Sequence, residues 1–122
     1  MAMAYLTGSL SLLLILVAPL FADPPESKKP EKWMTAKMVY YSGNVQGVGF
    51  RATASMIARD HPVVGWVKNL ADGRVQMLVE GQPDAIEKFL KAIRDHWKED
   101  IEKVETEDQK PTGKFTRFSI VP

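Results

Sequence analysis

The 122-residue chain contains no cysteine. Disulfides, thiolate catalysis, lipid anchoring through cysteine and cysteine-ligated zinc are therefore excluded. The same absence suits an oxidising or a reducing compartment equally. An excess of charge of one sign is lacking too: 16 basic and 15 acidic side chains leave a formal net charge of +1. That is too little to argue for nucleic acid or an anionic membrane as a partner. Only two histidines are present, His61 and His96. Neither has a carboxylate or second histidine at ligand spacing, and each lies near the end of a helix-like segment, where an imidazolium suits the dipole.

The first 22 residues carry no charged side chain. Leu6 to Phe21 is mostly apolar, most densely from Leu10 to Val17. A secretory signal needs about 7–15 apolar residues and then a small-residue cleavage site. Ala22 is placed to precede the cut, although no Lys or Arg opens the segment and Leu20 stands where a small residue is preferred. The stretch is slightly short of the ~20 residues that span a bilayer. The preferred reading of 1–22 is a cleaved signal peptide, ahead of an uncleaved membrane anchor and of a buried helix. The protein is thus expected to be exported, periplasmic or secreted, and to touch a membrane only through an uncut N-terminal segment. Residues 23–36 hold Pro24, Pro25 and Pro30 among balanced charges, the composition of an extended, solvated linker. The folded domain is expected over 37–122.

Within that domain Lys37–Ser42 is β-branched and aromatic and reads as a strand. Phe50, Ala54, Ile57 and Ala58 recur at helical spacing, and Pro62 cannot continue that helix, which ends near Asp60. Val63–Asn69 and Val75–Glu80 read as strands joined by the Asp72-Gly73 turn; Val75, Met77 and Val79 alternate with Gln76, Leu78 and Glu80. Pro83 opens a second helix with the stripe Ile86, Phe89, Leu90, Ile93 and Trp97, and Asp84–Lys88 and Glu87–Lys91 are spaced as i,i+4 pairs. Ile101–Glu107 is a charged strand suited to a sheet edge. A polar loop, Gln109–Lys114, leads to a last short strand, Phe115–Val121. The order β-α-β-β-α-β plus a terminal strand is the split βαβ, or ferredoxin-like, α+β sandwich, with two helices on one face of an antiparallel sheet.

Two segments carry chemistry. In Gly43-Asn44-Val45-Gln46-Gly47-Val48-Gly49-Phe50-Arg51, glycines between a strand and a helix allow successive N–H groups to converge on an anion. The helix start adds its positive end, and Arg51 adds a planar fork of donors suited to phosphate. Charge-assisted hydrogen bonds worth about 1.5–3 kcal/mol each would together hold a small phosphate compound at micromolar to millimolar strength. No Gly-Lys-Ser/Thr follows, so this is not a nucleotide P-loop. The second segment, Gly65-Trp66-Val67-Lys68-Asn69, ends a strand on a carboxamide.

Both segments resemble the signature motifs of the acylphosphatase family, in the expected order and separation. The resemblance continues through Asp72-Gly73, Glu80-Gly81 and Phe118-Ser119-Ile120 and covers roughly Lys37 to Val121. It implies hydrolysis of the carboxyl–phosphate bond of small acyl phosphates to carboxylate and inorganic phosphate, without metal or cofactor. By the same resemblance Arg51 binds the phosphoryl group together with the loop Asn44, Val45, Gln46, Gly47, Val48, Gly49 and Phe50, and Asn69 positions the attacking water. A monomer that binds no nucleic acid is expected. His61-Pro62 and Lys68 depart from the family's usual Leu-Gly and Arg, which predicts an altered turn and an intact site. The alternative is an exported, non-enzymatic phosphate-binding module on the same fold. A base-stacking RNA sheet and a membrane-tethered interaction domain rank lower.

Overall fold

The computed structural model describes residues 31–122; the expected leader at 1–22 and most of the linker lie outside the described residues. Five strands and two helices follow in the order β1 (Thr35–Gly43), α1 (Phe50–Ala58), β2 (Val63–Asn69), β3 (Val75–Gly81), α2 (Pro83–Trp97), β4 (Ile101–Gln109) and β5 (Phe118–Ile120). The sheet order is β4-β1-β3-β2-β5. β1 and β2 each pair antiparallel to β3, so the two run parallel with β3 between them. This is the ferredoxin-like α+β sandwich, with the charged β4 at one edge.

Strand alternation sorts the sheet into two faces. Val39 and Tyr41 align with Met77 and Val75, and Val67 with Met77. These side chains meet Phe50, Ala54 and Ala58 of α1 and Ile86, Phe89 and Ile93 of α2 in one core. On α1 the buried stripe recurs every fourth residue, as one face of a 3.6-residue helix must.

Four local expectations change. β1 begins at Thr35, inside the stretch read as linker, because Ala36 is buried opposite Glu80 and the Thr35 hydroxyl donates to the Gly81 carbonyl at 3.2 Å. β4 extends through Gln109 along β1. The last strand is only Phe118–Ile120 and pairs parallel to β2, so the sheet is not wholly antiparallel. The chain leaves β4 at one edge, crosses the sheet at the end where β1 begins, and returns in the direction of β2. On α2, Lys91 pairs with Asp95 at 2.7 Å, and Asp84 accepts from the Ala85 N–H; neither expected i,i+4 pair forms among the described residues.

The crossing segment also explains an acid in the interior. Glu80 is fully buried although its strand position faces away from the helices. One of its oxygens accepts from the Thr112 N–H and hydroxyl, both at 3.0 Å, and the other from the Gly113 N–H at 3.1 Å. Burying a carboxylate costs several kcal/mol unless donors surround it; here the loop supplies them and is pinned in return. No helix among the described residues is long and apolar enough to cross a membrane.

Candidate active site

Because β1 and β2 run parallel, the exit from β1, the start of α1 and the end of β2 all lie at the same end of the sheet. The loop between β1 and α1 turns on Gly47 (φ 74°) and Gly49 (φ 86°), both left-handed, a conformation that L side chains adopt only at a cost. Gly49 is the N-cap of α1, which has no side-chain cap and no acid in its first turn. Its leading N–H groups and positive end are thereby left for an external anion.

The loop is held from below and from both sides. Val45 and Phe50 are buried in the core. The Phe50 ring lies 4.9 Å from that of Tyr41 and 5.3 Å from that of Trp97. Asn44 donates its backbone N–H to the Asp100 carbonyl at 2.9 Å and its side-chain amide to the Asp100 carboxylate at 3.3 Å. Gln46 donates its side-chain amide to the carbonyls of Leu70 (2.8 Å) and Arg74 (2.9 Å), clamping the loop to the hairpin that follows Asn69. That hairpin is itself braced, since Asp72 accepts from both the N–H and the Nε of Arg74.

A cavity of about 190 Å³ opens between loop and strand, lined by Val45, Gly47, Gly49, Phe50, Arg51, Ala52, Asn69 and Ile120. Arg51 and Asn69 thus meet at one pocket. Asn69 reaches it because Gly65, Val67 and Asn69 share the helix-facing side of β2. Gly65 makes the required approach of β2 to β3: a Cβ there would collide with the Leu78 carbonyl oxygen. The Asn69 Oδ1 is buried and has no hydrogen-bond partner among the described residues. Asn44, Gln46 and Val48 do not line the cavity; the first two brace the loop, and Val48 is exposed. Ile120 was not read as a site residue. Its nearness depends on the parallel docking of β5 on β2, where it aligns with Val67; its place in the terminal segment resembling the family was the only signal. Burial pushes the Tyr41 hydroxyl well above the usual phenol range, a shift the Arg94 charge opposes, so it stays protonated beneath the loop. The turn at His61-Pro62 closes with the Val63 N–H on the His61 carbonyl at 2.8 Å, and β2 pairs with β3 from Val63 to Asn69.

Fold and pocket together define a ferredoxin-like domain with a cavity lined by a glycine-bearing loop and Arg51 at a helix start. The sequence profile of the family described as Acylphosphatase matches residues 37–120. Similar proteins include the acylphosphatases of Roseiflexus sp. (strain RS-1), 42% identical over 72% of this chain and 96% of the relative, and of Chloroflexus aurantiacus, 43% identical over 68% and 91%. Among solved structures, the acylphosphatase from Bacillus subtilis superposes with a TM-score of 0.66 at 32% identity, covering 72% of this chain and 99% of that one. The chain belongs to the acylphosphatase family and is an enzyme of that class.

Proposed function

We propose that the enzyme hydrolyses small acyl phosphates at the Arg51–Asn69 pocket without a metal ion. The observation that carries this reading is the meeting of Arg51, the glycine-bearing loop and Asn69 at one small cavity. Arg51 and the loop N–H groups bind the phosphoryl oxygens, where charge is held through the transition state. The Asn69 carboxamide hydrogen-bonds a water and aligns it with phosphorus, removing much of the orientational part of the barrier. The water oxygen bonds to phosphorus as the bond from phosphorus to the bridging oxygen breaks; the carboxylate leaves with that electron pair, and a phosphoryl oxygen takes the water's proton. A carboxylate leaves readily at neutral pH, so no strong protein acid is required. The cavity lining accordingly carries one cation and no carboxylate.

Release of inorganic phosphate from benzoyl or acetyl phosphate in excess chelator tests this, beside Arg51→Gln. Turnover by the wild type and its loss in the variant are expected; chelator-sensitive turnover, or full activity in Arg51→Gln, would overturn the assignment. Export under the direction of residues 1–22 is likewise proposed, from their uncharged, apolar composition, and the intact mass of protein recovered outside the cytoplasm tests cleavage after Ala22.

A further inference from the structure

We propose that the groove between α1 and β5 is a second anion site, which selects acyl phosphates bearing a negative charge at the far end of the acyl group. The proposal rests on the reading of the Arg51–Asn69 pocket given above. Beside the phosphate pocket lies a larger cavity of about 590 Å³, walled by Ser55, Ala58, Arg59, Arg117, Ser119 and Ile120 among others. Ile120 lines both cavities, so the groove adjoins the pocket of Arg51 and Asn69.

Its chemistry is cationic. Arg59 and Arg117 both line it, and no carboxylate does. Neither guanidinium has an ion-pair or side-chain hydrogen-bond partner among the described residues. Their placement follows from the fold. Phe50, Ala54 and Ala58 bury one stripe of α1, and the stripe one residue further round the helix reads Arg51, Ser55, Arg59. Arg59 therefore stands two turns beyond Arg51 on the same face, about 12 Å along the axis. On the opposite wall the Arg117 carbonyl accepts from the Gly65 N–H at 3.1 Å, which fixes it roughly 15 Å along β2 from the level of Asn69. Two walls thus bring one arginine each to the same distal end. Long arginine side chains can reach back along the groove, so a ligand a few carbons long bridges the two sites.

The test compares kcat/KM of the full chain for adipoyl phosphate and hexanoyl phosphate, the same chain with and without a terminal carboxylate. Succinyl phosphate against butanoyl phosphate serves as the short pair. A phosphoester-ended acyl phosphate, run beside adipoyl phosphate, distinguishes a phosphate tail from a carboxylate tail. The adipoyl preference expected is about fivefold, the scale of solvent-exposed ion pairs. It should shrink at high salt, fall toward one in the Arg59→Ala/Arg117→Ala double variant, and be small for the short pair. An ω-amino chain should be disfavoured, which checks the site without any variant. Equal rates for adipoyl and hexanoyl phosphate, an equal preference in the short pair, or a preference that survives in the double variant would overturn the distal site. Failure to hydrolyse any of these compounds would instead overturn the reading of the phosphate pocket.

Discussion

The two ends of the sheet treat polar groups in opposite ways. At the end where β3 finishes, Glu80 is fully buried and both its oxygens are satisfied by three donors from Thr112 and Gly113. At the end where β2 finishes, Asn69 keeps a buried oxygen with no partner, and the start of α1 has no cap from a side chain. A satisfied polar group contributes to holding the fold; an unsatisfied one costs stability of about 1–3 kcal/mol. The first arrangement fastens the chain's last segment; the second stands at the cavity that Arg51 and Asn69 share.

On the proposed mechanism, breaking the Asn69 end should cost rate without cost in stability. Asn69→Ala is expected to lower kcat by about 10²–10³, by analogy with lost transition-state donors. Its thermal stability should hold, or rise by up to about 1 kcal/mol as the orphaned acceptor goes. Steady-state kinetics and thermal unfolding of the same preparation check both halves. Glu80→Gln should do the reverse: about 2–4 kcal/mol of stability is lost, since an amide –NH₂ would face N–H donors, while kcat of the folded fraction is kept. Denaturant unfolding beside an activity titration separates the two.

Smaller perturbations sharpen the contrast by loosening the braces. Gln46→Ala removes two hydrogen bonds between loop and hairpin, each worth roughly 1 kcal/mol; it should lower kcat/KM about tenfold, as the loop N–H groups lose register with Asn69. The smallest effect is expected at the hairpin. The Arg74 N–H, and after it the Arg74 side chain, hold the Asp72 carboxyl below its ordinary range. A lowered folded value stabilises above the ordinary carboxylate pKa and is lost as pH falls through the lowered one. The stability gap between wild type and Asp72→Asn should therefore be present at neutral pH and close in acid, with the sign read from paired melts. The group is fully exposed, so the gap will be slight.

Much of this was legible wherever the information is local. Helical spacing in Phe50, Ala54 and Ala58 marks α1, and Asp72-Gly73 marks the hairpin, because both depend on residues a few positions apart. The loop and Arg51 were legible for the same reason: glycines and a guanidinium adjoin a helix start in one short run. Asn69 was singled out as the strand's closing amide, but its role came from resemblance. The position of Gln46 was legible and its use was not, since its partners are 24 and 28 residues away. Glu80 alternates with Val75, Met77 and Val79 along β3, which places it on the face away from the helices. Only the crossing of residues 110–117 turns that outward face into an interior one.

The amino-acid order alone determined the elements, the glycine-bearing anion loop and the neutral balance that argues against a polyanionic partner, because propensity, periodicity and local backbone freedom act over a few residues. Tertiary structure decided which side chains share a cavity: Arg51 with Asn69, Arg59 with Arg117, Glu80 with Thr112 and Gly113. These pairings depend on strand register, on parallel β1 and β2, and on the docking of β5. All three are settled when distant segments bury a common core, and no short window of sequence contains them.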